Sequence, residues 1–215
     1  MRITKLSAQK KKKFVNLFLD GKYHFSLSLD LVLKNGLFKG KNLSEIEVEK
    51  LFLDSYQEKL TSKALNFLSF RPRSKKEIND YLDKKLYPLQ SIELKIKTKL
   101  KKRIIKKLEK IDLIDDSKFA SWWVGQRLQF RPKGKAILRA ELFKKGVEGK
   151  IVDQALTKIS LKDSFSMARK VVSKKKRLFK GMEEKKLRQK LIDSLLRRGF
   201  EFELVKKVID AETEK

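Results

Sequence analysis

The 215-residue sequence contains no cysteine, which excludes disulfides, thiolate zinc sites and cysteine nucleophiles. It has a single histidine, so a histidine general base would have to be His24. That residue lies between Tyr23 and Phe25 with no acid or nucleophile beside it, and a packing or surface role is expected. No apolar run is longer than three residues, so nothing reads as a membrane span. Behind Arg2, Lys5 and Lys10 to Lys13, the stretch Phe14 to Leu19 is too short and too interrupted for a signal peptide, and a cytoplasmic location is expected. Acidic residues are scarce: 27 against 55 Lys and Arg, a net charge of +28. Such self-repulsion costs stability unless the partner is a polyanion, with nucleic acid the first candidate and an anionic membrane surface the second.

What the chain does contain is a repeat. FRPRSKKEINDYLDKKL, from Phe70 to Leu86, returns sixty residues later as FRPKGKAILRAELFKKGV, from Phe130 to Val147, without a gap. Phe70, Arg71 and Pro72 recur as Phe130, Arg131 and Pro132; Ile78 and Leu82 recur as Leu138 and Leu142; Lys84-Lys85 recur as Lys144-Lys145. A weaker third copy, Leu195 to Phe200, matches Leu142 to Val147. Periods of this size signal a duplicated helical unit that buries its apolar stripe only against its neighbours. The fold expected is mainly α, an elongated array of three tandem three-helix repeats with a small N-terminal β-hairpin extension.

In chain order, Arg2 to Leu6, Lys13 to Leu19 and Tyr23 to Leu29 carry β patterns, and Asp20-Gly21 is a hairpin signal. Asp30 precedes a short helix that stops near Gly36. Ser44 and Glu47 have capping-box spacing, and a helical recurrence of Ile46, Leu51, Leu53, Tyr56, Leu60, Ala64, Leu65 and Leu68 follows. Pro72 ends that run, and Ser74 caps a helix bearing Ile78, Tyr81, Leu82 and Leu86. Pro88 starts the next, with Leu89, Ile92, Ile96, Leu100, Ile104, Leu108 and Ile111 on one stripe and Lys95, Lys99, Lys102, Lys106 and Lys110 opposite. Further helices are expected from Asp115-Asp116 through Phe119, Trp123 and Leu128 to Pro132, then over Ile137 to Phe143, Ile151 to Ile159, Phe165 to Phe179, Leu187 to Leu196 and Leu204 to Ile209. The units are placed at residues 1–42, 43–111, 112–160 and 161–215. Charge is uneven: residues 1–60, 61–110, 111–160 and 161–215 carry +5, +11, +4 and +8. The middle repeat, nearest to neutral, is expected to make protein contacts.

Several constellations invite a chemical reading. Gly36 to Asn42 has the wrong glycine spacing for a phosphate-binding loop and lacks the Ser or Thr that would hold magnesium. Asp112, Asp115 and Asp116 could hold a metal for phosphodiester chemistry. Capping of the helix that begins near Ser117 explains them with less, because no further acid or histidine supports a metal. Trp122-Trp123 could stack single-stranded bases, although one in the core and one partly exposed is the simpler expectation. Arg71, Arg73 and Lys75, and Arg131, Lys133 and Lys135, flank a proline at equivalent helix starts and are expected to contact phosphates. Lys144, Lys145, Arg197 and Arg198 stand at helix ends, where complementing carbonyls is sufficient reason for them. Together with Arg127 and with Lys99, Lys102 and Lys106 they complete the expected binding set. No catalytic residue, cofactor or metal is expected.

These residues resemble the RecX family of regulatory proteins. The resemblance rests on Ala64 to Ser74 (ALNFLSFRPRS), on Leu113 to Ala120 (LIDDSKFA) with Arg127, Lys133-Gly134, Glu141-Leu142 and Lys145-Gly146, and on Leu195 to Phe200. It covers Ala64 to the C-terminus in order, and the N-terminal hairpin resembles the extension that many members carry. Asp112 and Leu86 depart from it, each where glycine is usual. The resemblance implies a non-catalytic modulator of the RecA recombinase. Such a protein would lie in the groove of the filament on single-stranded DNA and restrain ATP hydrolysis, strand exchange and co-protease activity within the SOS response. The implied partners are RecA and single-stranded DNA, with double-stranded DNA a further candidate, no membrane, and a monomeric state. A general DNA-binding or nucleoid-associated protein is the alternative, and a metal-dependent nuclease resting on the Asp cluster is the third.

Overall fold

The computed structural model describes residues 1–9, 13–87 and 93–213, which form three strands and ten helices. They fall into two compact units, one of Met1–Arg71 with Asn79–Lys110, the other of Pro72–Ile78 with Ile111–Lys215.

In the first unit, β1 (Ile3–Ala8), β2 (Phe14–Leu19) and β3 (Lys22–Ser28) form an antiparallel sheet in the order β1-β2-β3. The expected hairpin is present as β2–β3, turning at Asp20-Gly21 with both φ angles positive. β1 adds a third strand, which the hairpin expectation did not include. Val15, Leu17 and Leu19 alternate inward along β2, the period-two signature of a sheet with one buried face. Against them pack α1 (Leu29–Lys34) and the start of α2 (Glu45–Ser69), through Leu31, Val32, Val48 and Leu51. The cap of α1 is Ser28, whose Oγ accepts the Leu31 N–H at 3.1 Å; Asp30 lies inside the first turn.

Helix α2 starts on the expected capping box, with Ser44 and Glu47 exchanging hydrogen bonds. Its buried face is shifted from the expected stripe. Ile46 and Leu65 are exposed, whereas Val48, Ser55 and Thr61 are buried. Ser55 and Thr61 are tolerated inside because each hydroxyl donates to a carbonyl, Ser26 O at 2.6 Å and Gln57 O at 2.7 Å. Helix α4 (Leu94–Lys110) buries Leu100, Ile104 and Leu108 as expected and also Ile105, while Ile111 is exposed. The expected start at Pro88, with Leu89 and Ile92, lies outside the described residues, as do Lys10 to Lys12.

The second unit contains α5 (Asp116–Phe130), α6 (Lys135–Lys144), α7 (Gly149–Thr157), α8 (Leu161–Leu178), α9 (Glu184–Leu196) and α10 (Phe202–Thr213). The second and third repeats share one core: Phe119, Leu138, Val152, Val172, Leu195 and Val208 belong to a single buried cluster. Both copies of the repeated helix end identically. Gly146 donates to Phe143 O at 2.8 Å and Val147 to Leu142 O at 3.1 Å; Gly199 donates to Leu196 O at 2.8 Å and Phe200 to Leu195 O at 3.3 Å. Each is a Schellman turn, which requires a left-handed residue, and both glycines have φ +75.

These turns receive the start of the preceding repeat's central helix. Ser74, at the head of α3 (Lys75–Leu86), donates its hydroxyl to Lys145 O at 2.6 Å and accepts the Glu77 N–H at 3.2 Å. Gly134, sixty positions on, donates its backbone N–H to Arg198 O at 2.8 Å. Each acceptor is the carbonyl just before the turn glycine. A Cβ on Gly134 would lie 1.8 Å from Gly199 O, so only a bare backbone fits there. Leu86 replaces the turn glycine in the first repeat, and the sequence holds no earlier FRP turn that would dock on it.

The Gly134→Ala variant should therefore lose about 2–3 kcal/mol, in the range of overpacked sites. Gly125→Ala, at an exposed position inside α5 where a Cβ meets nothing within 4 Å, should gain about 0.5–1 kcal/mol. Urea unfolding of the two variants measures both, and equal midpoints would refute the close-packed junction.

Candidate nucleic-acid interface

Helix α5 ends at Phe130 and the chain turns through Arg131 and Pro132 to reach α6. Beside this turn the second unit has an open cleft of about 520 Å³. Arg131 and Lys133 line it from the turn, Lys170, Lys174 and Lys175 from α8, and Arg198 from the end of α9. No residue lining it is acidic. Lys170, Lys174 and Leu178 recur every four positions and so stand on one face of α8. Phe130 and Leu178 are 65% and 66% exposed in the same cleft.

Two of the cleft's cations are also held by the protein. Arg198 Nη1 donates to Ser194 O at 2.8 Å and Oγ at 2.6 Å, the carbonyl-complementing role expected at a helix end. Lys133 Nζ lies 2.5 Å from Glu141 Oε1, and Arg127 Nε and Trp123 Nε1 reach Glu141 Oε2 at 2.8 and 2.9 Å. Burial pushes the Glu141 carboxyl up, but the hydrogen bonds from Lys133, Arg127 and Trp123 outweigh it, and the net shift is downward. The Arg127 guanidinium sits 4.5 Å from the Trp123 ring centroid and the Lys145 ammonium 5.2 Å, favourable cation–π placements. Lys145 Nζ in turn pairs with Glu77 Oε1 at 2.6 Å.

Thus Arg127 and Lys145, expected to bind phosphate, are members of an ion-pair network tying α3, α5 and α6 together. Both tryptophans are half-buried against Phe119, whereas one fully in the core and one partly exposed was expected. Arg131, Lys133 and Arg198 are brought into one cleft. Arg73 is half-buried, while Lys75 is exposed and donates its backbone N–H to Asp116 Oδ1 at 2.8 Å. Lys135 borders a separate small cavity beside Phe200, and Lys144 and Arg197 are exposed. In the first unit, Lys99, Lys102 and Lys106 line a shallow recess along α4 with Lys95 and Arg103, and Arg71 is half-exposed.

The Asp cluster is occupied with structure. Asp115 caps α5, accepting from Ser117 N and Lys118 N at 2.7 and 3.0 Å. Asp116 takes the Lys75 amide, and Asp112 pairs with Lys118. Among the described residues no group of three His, Asp or Glu is placed to hold a metal. Asp112 has φ +59, the left-handed conformation that makes glycine usual at its position and that Asp tolerates. His24 is exposed on β3. Among the described residues no helix is long and apolar enough to cross a membrane.

Sequence reasoning missed Lys170, Lys174 and Lys175, although their spacing along α8 carries the signal. It also missed the part played by Glu141, the only acid between Arg131 and Val147.

The N-terminal sheet, the helical repeats and the basic faces place the chain among basic helical-repeat proteins, and the comparisons give its family. Residues 1–44 match the regulatory protein RecX N-terminal domain. Residues 62–94, 115–156 and 162–209 match the RecX first, second and third three-helix domains. The regulatory protein RecX of Bacillus pumilus is 36% identical over 212 residues, covering 96% of this chain and 76% of that protein. That of Listeria monocytogenes serotype 4a is 34% identical over 207 residues, covering 96% and 74%. A crystal structure of regulatory protein RecX superposes with a TM-score of 0.68 at 29% identity, covering 97% of this chain and 98% of that one. The RecX structure from Lactobacillus salivarius gives 0.58 at 27% identity, covering 72% and 95%. The chain belongs to the RecX family of regulatory proteins.

Replacing Glu141 by Gln should cost about 1.5–3 kcal/mol at neutral pH, the range for hydrogen bonds to charged groups. A carboxyl whose folded pKa is depressed stabilises above its unfolded pKa, near 4.5, and loses that contribution as pH falls through the folded value. The gap between wild type and variant, read by urea unfolding across pH 7 to 3, should start to narrow near pH 4.5 and keep shrinking as pH falls through the lower folded value. A constant gap would refute the charged network.

Proposed function

We propose that this chain binds the filament that RecA forms on single-stranded DNA and restrains its ATP hydrolysis, strand exchange and co-protease activity. The observation that carries the reading is the cleft of the second and third repeats, where six cations converge and no lining residue is acidic. Such a site neutralises phosphates and releases their counterions, giving affinity that falls with salt. Its cations come from a turn, one helix and the end of another, an arrangement suited to following a phosphate backbone. Family membership supports a regulatory role, and the working units are the extension 1–42 and the helical units 43–111, 112–160 and 161–215. The middle unit's share of the cleft, Arg131 and Lys133, gives it a part in polyanion binding as well as in protein contacts. The protein acts as a binding module, in the cytoplasm, as a monomer.

The recess along α4 favours a second reading, because lysines on one helix face would serve naked DNA equally. RecA ATPase on single-stranded DNA separates the two. Near-stoichiometric protein should slow hydrolysis, and affinity for the filament should exceed that for bare DNA. Equal affinities with unaltered ATPase would give the chain to the second reading. In Lys170→Ala/Lys174→Ala the slope of log affinity against log salt should shallow by about 1.4, two phosphate contacts on a single strand.

A further inference from the structure

Phe70 and Phe130 occupy the same place in two repeats, directly before Arg71 and Arg131, and are 76% and 65% exposed. A phenylalanine kept at that position for packing would be covered in at least one copy. Phe130 shares the cleft with Leu178, while Lys170 and Lys174 rise from α8 about 6 Å apart along the helix axis. Lys175 is steadied over the Phe179 ring at 5.2 Å. The cleft therefore combines cations with two exposed apolar side chains, and the cations alone explain only half of it. At about 520 Å³ it is of the size of small-ligand sites.

We infer that this cleft holds an unpaired stretch of nucleic acid, with phosphates on Lys170, Lys174 and Arg131 and one base stacked on the face of Phe130. The inference rests on the nucleic-acid reading of the cleft given above and names what that reading leaves open. Stacking needs a base whose face is free, which an unpaired strand offers and an intact duplex does not. A ring adds affinity for every base alike, since each has a π-face, so the cleft selects unpaired over paired strands without selecting sequence. A purely acidic peptide such as polyglutamate would use the same cations yet leave Phe130 and Leu178 uncovered.

The test is binding of the full chain to a labelled oligothymidine, to an abasic oligomer of equal length and charge, and to polyglutamate at one salt concentration. Wild type should prefer the oligothymidine to the abasic strand by about tenfold, within the range for one base–aromatic stack. Phe130→Ala and Phe130→Leu should remove most of that preference, and Phe130→Trp should keep it. A 2-aminopurine reporter in the strand should be quenched by wild type and less so by Phe130→Ala. The ring is exposed, so circular dichroism and unfolding midpoints of these variants should match wild type. Equal binding of bare and abasic strands, or a preference untouched in Phe130→Ala, would overturn the stacking site while leaving the nucleic-acid reading intact. No binding to either strand would overturn that reading itself, and polyglutamate binding in its place would assign the cleft to an acidic peptide.

Discussion

The second unit depends on a backbone-to-backbone approach that no side chain could share. At Gly134 the head of α6 meets the end of α9 so closely that a methyl group would overlap a carbonyl oxygen. The N–H that would be orphaned at a helix start is satisfied by the carbonyl orphaned at a helix end. The junction at Ser74 meets the same demand with a hydroxyl in place of an amide. Fixing one helix head against the next repeat's helix tail sets the register in which α5 to α10 close one core. It also sets where the FRP turn puts its aromatic and arginine.

The excess of positive charge divides into two kinds of residue. Arg127, Lys133 and Lys145 are matched to Glu141 and Glu77, and their charges join helices. Lys170 and Lys174 on α8, and Lys99, Lys102 and Lys106 on α4, line open surfaces whose lining residues include no acid. Repulsion among this second kind is a standing cost to the folded chain, and a polyanion relieves it. Half-buried pairs of the first kind are screened far less by salt than the exposed lysines. Rising ionic strength therefore weakens ligand contacts before it weakens the scaffold.

Most of the helical order was legible because periodicity, caps and turn glycines agree. Ser44 with Glu47, Ser74, and the turns at Gly146 and Gly199 all stand where local rules place them. Misreadings arose where tertiary contact overrides local pattern. Ile46 fits the stripe of α2 yet is exposed, while Ser55 goes inside because a β3 carbonyl awaits its hydroxyl. The third strand was legible as a β pattern, but pairing of β1 with β2 is a long-range fact that a hairpin rule does not supply. At the candidate site, Arg131 and Lys133 stood out because they recur. Lys170 and Lys174 carry the same kind of charge with no copy elsewhere to single them out. Glu141 was invisible as a hub, since its three donors lie eight, fourteen and eighteen residues away.

The junctions also run in a fixed direction along the polypeptide. The carbonyl that receives Ser74 belongs to a residue 71 positions further on, and Gly134 is received by Arg198 in the same sense. On the ribosome, each turn emerges long before its receptor has been polymerised. An earlier repeat stays unlatched until the later one is made, so the junction at Ser74 closes before the one at Gly134 and the array is completed in the direction of synthesis.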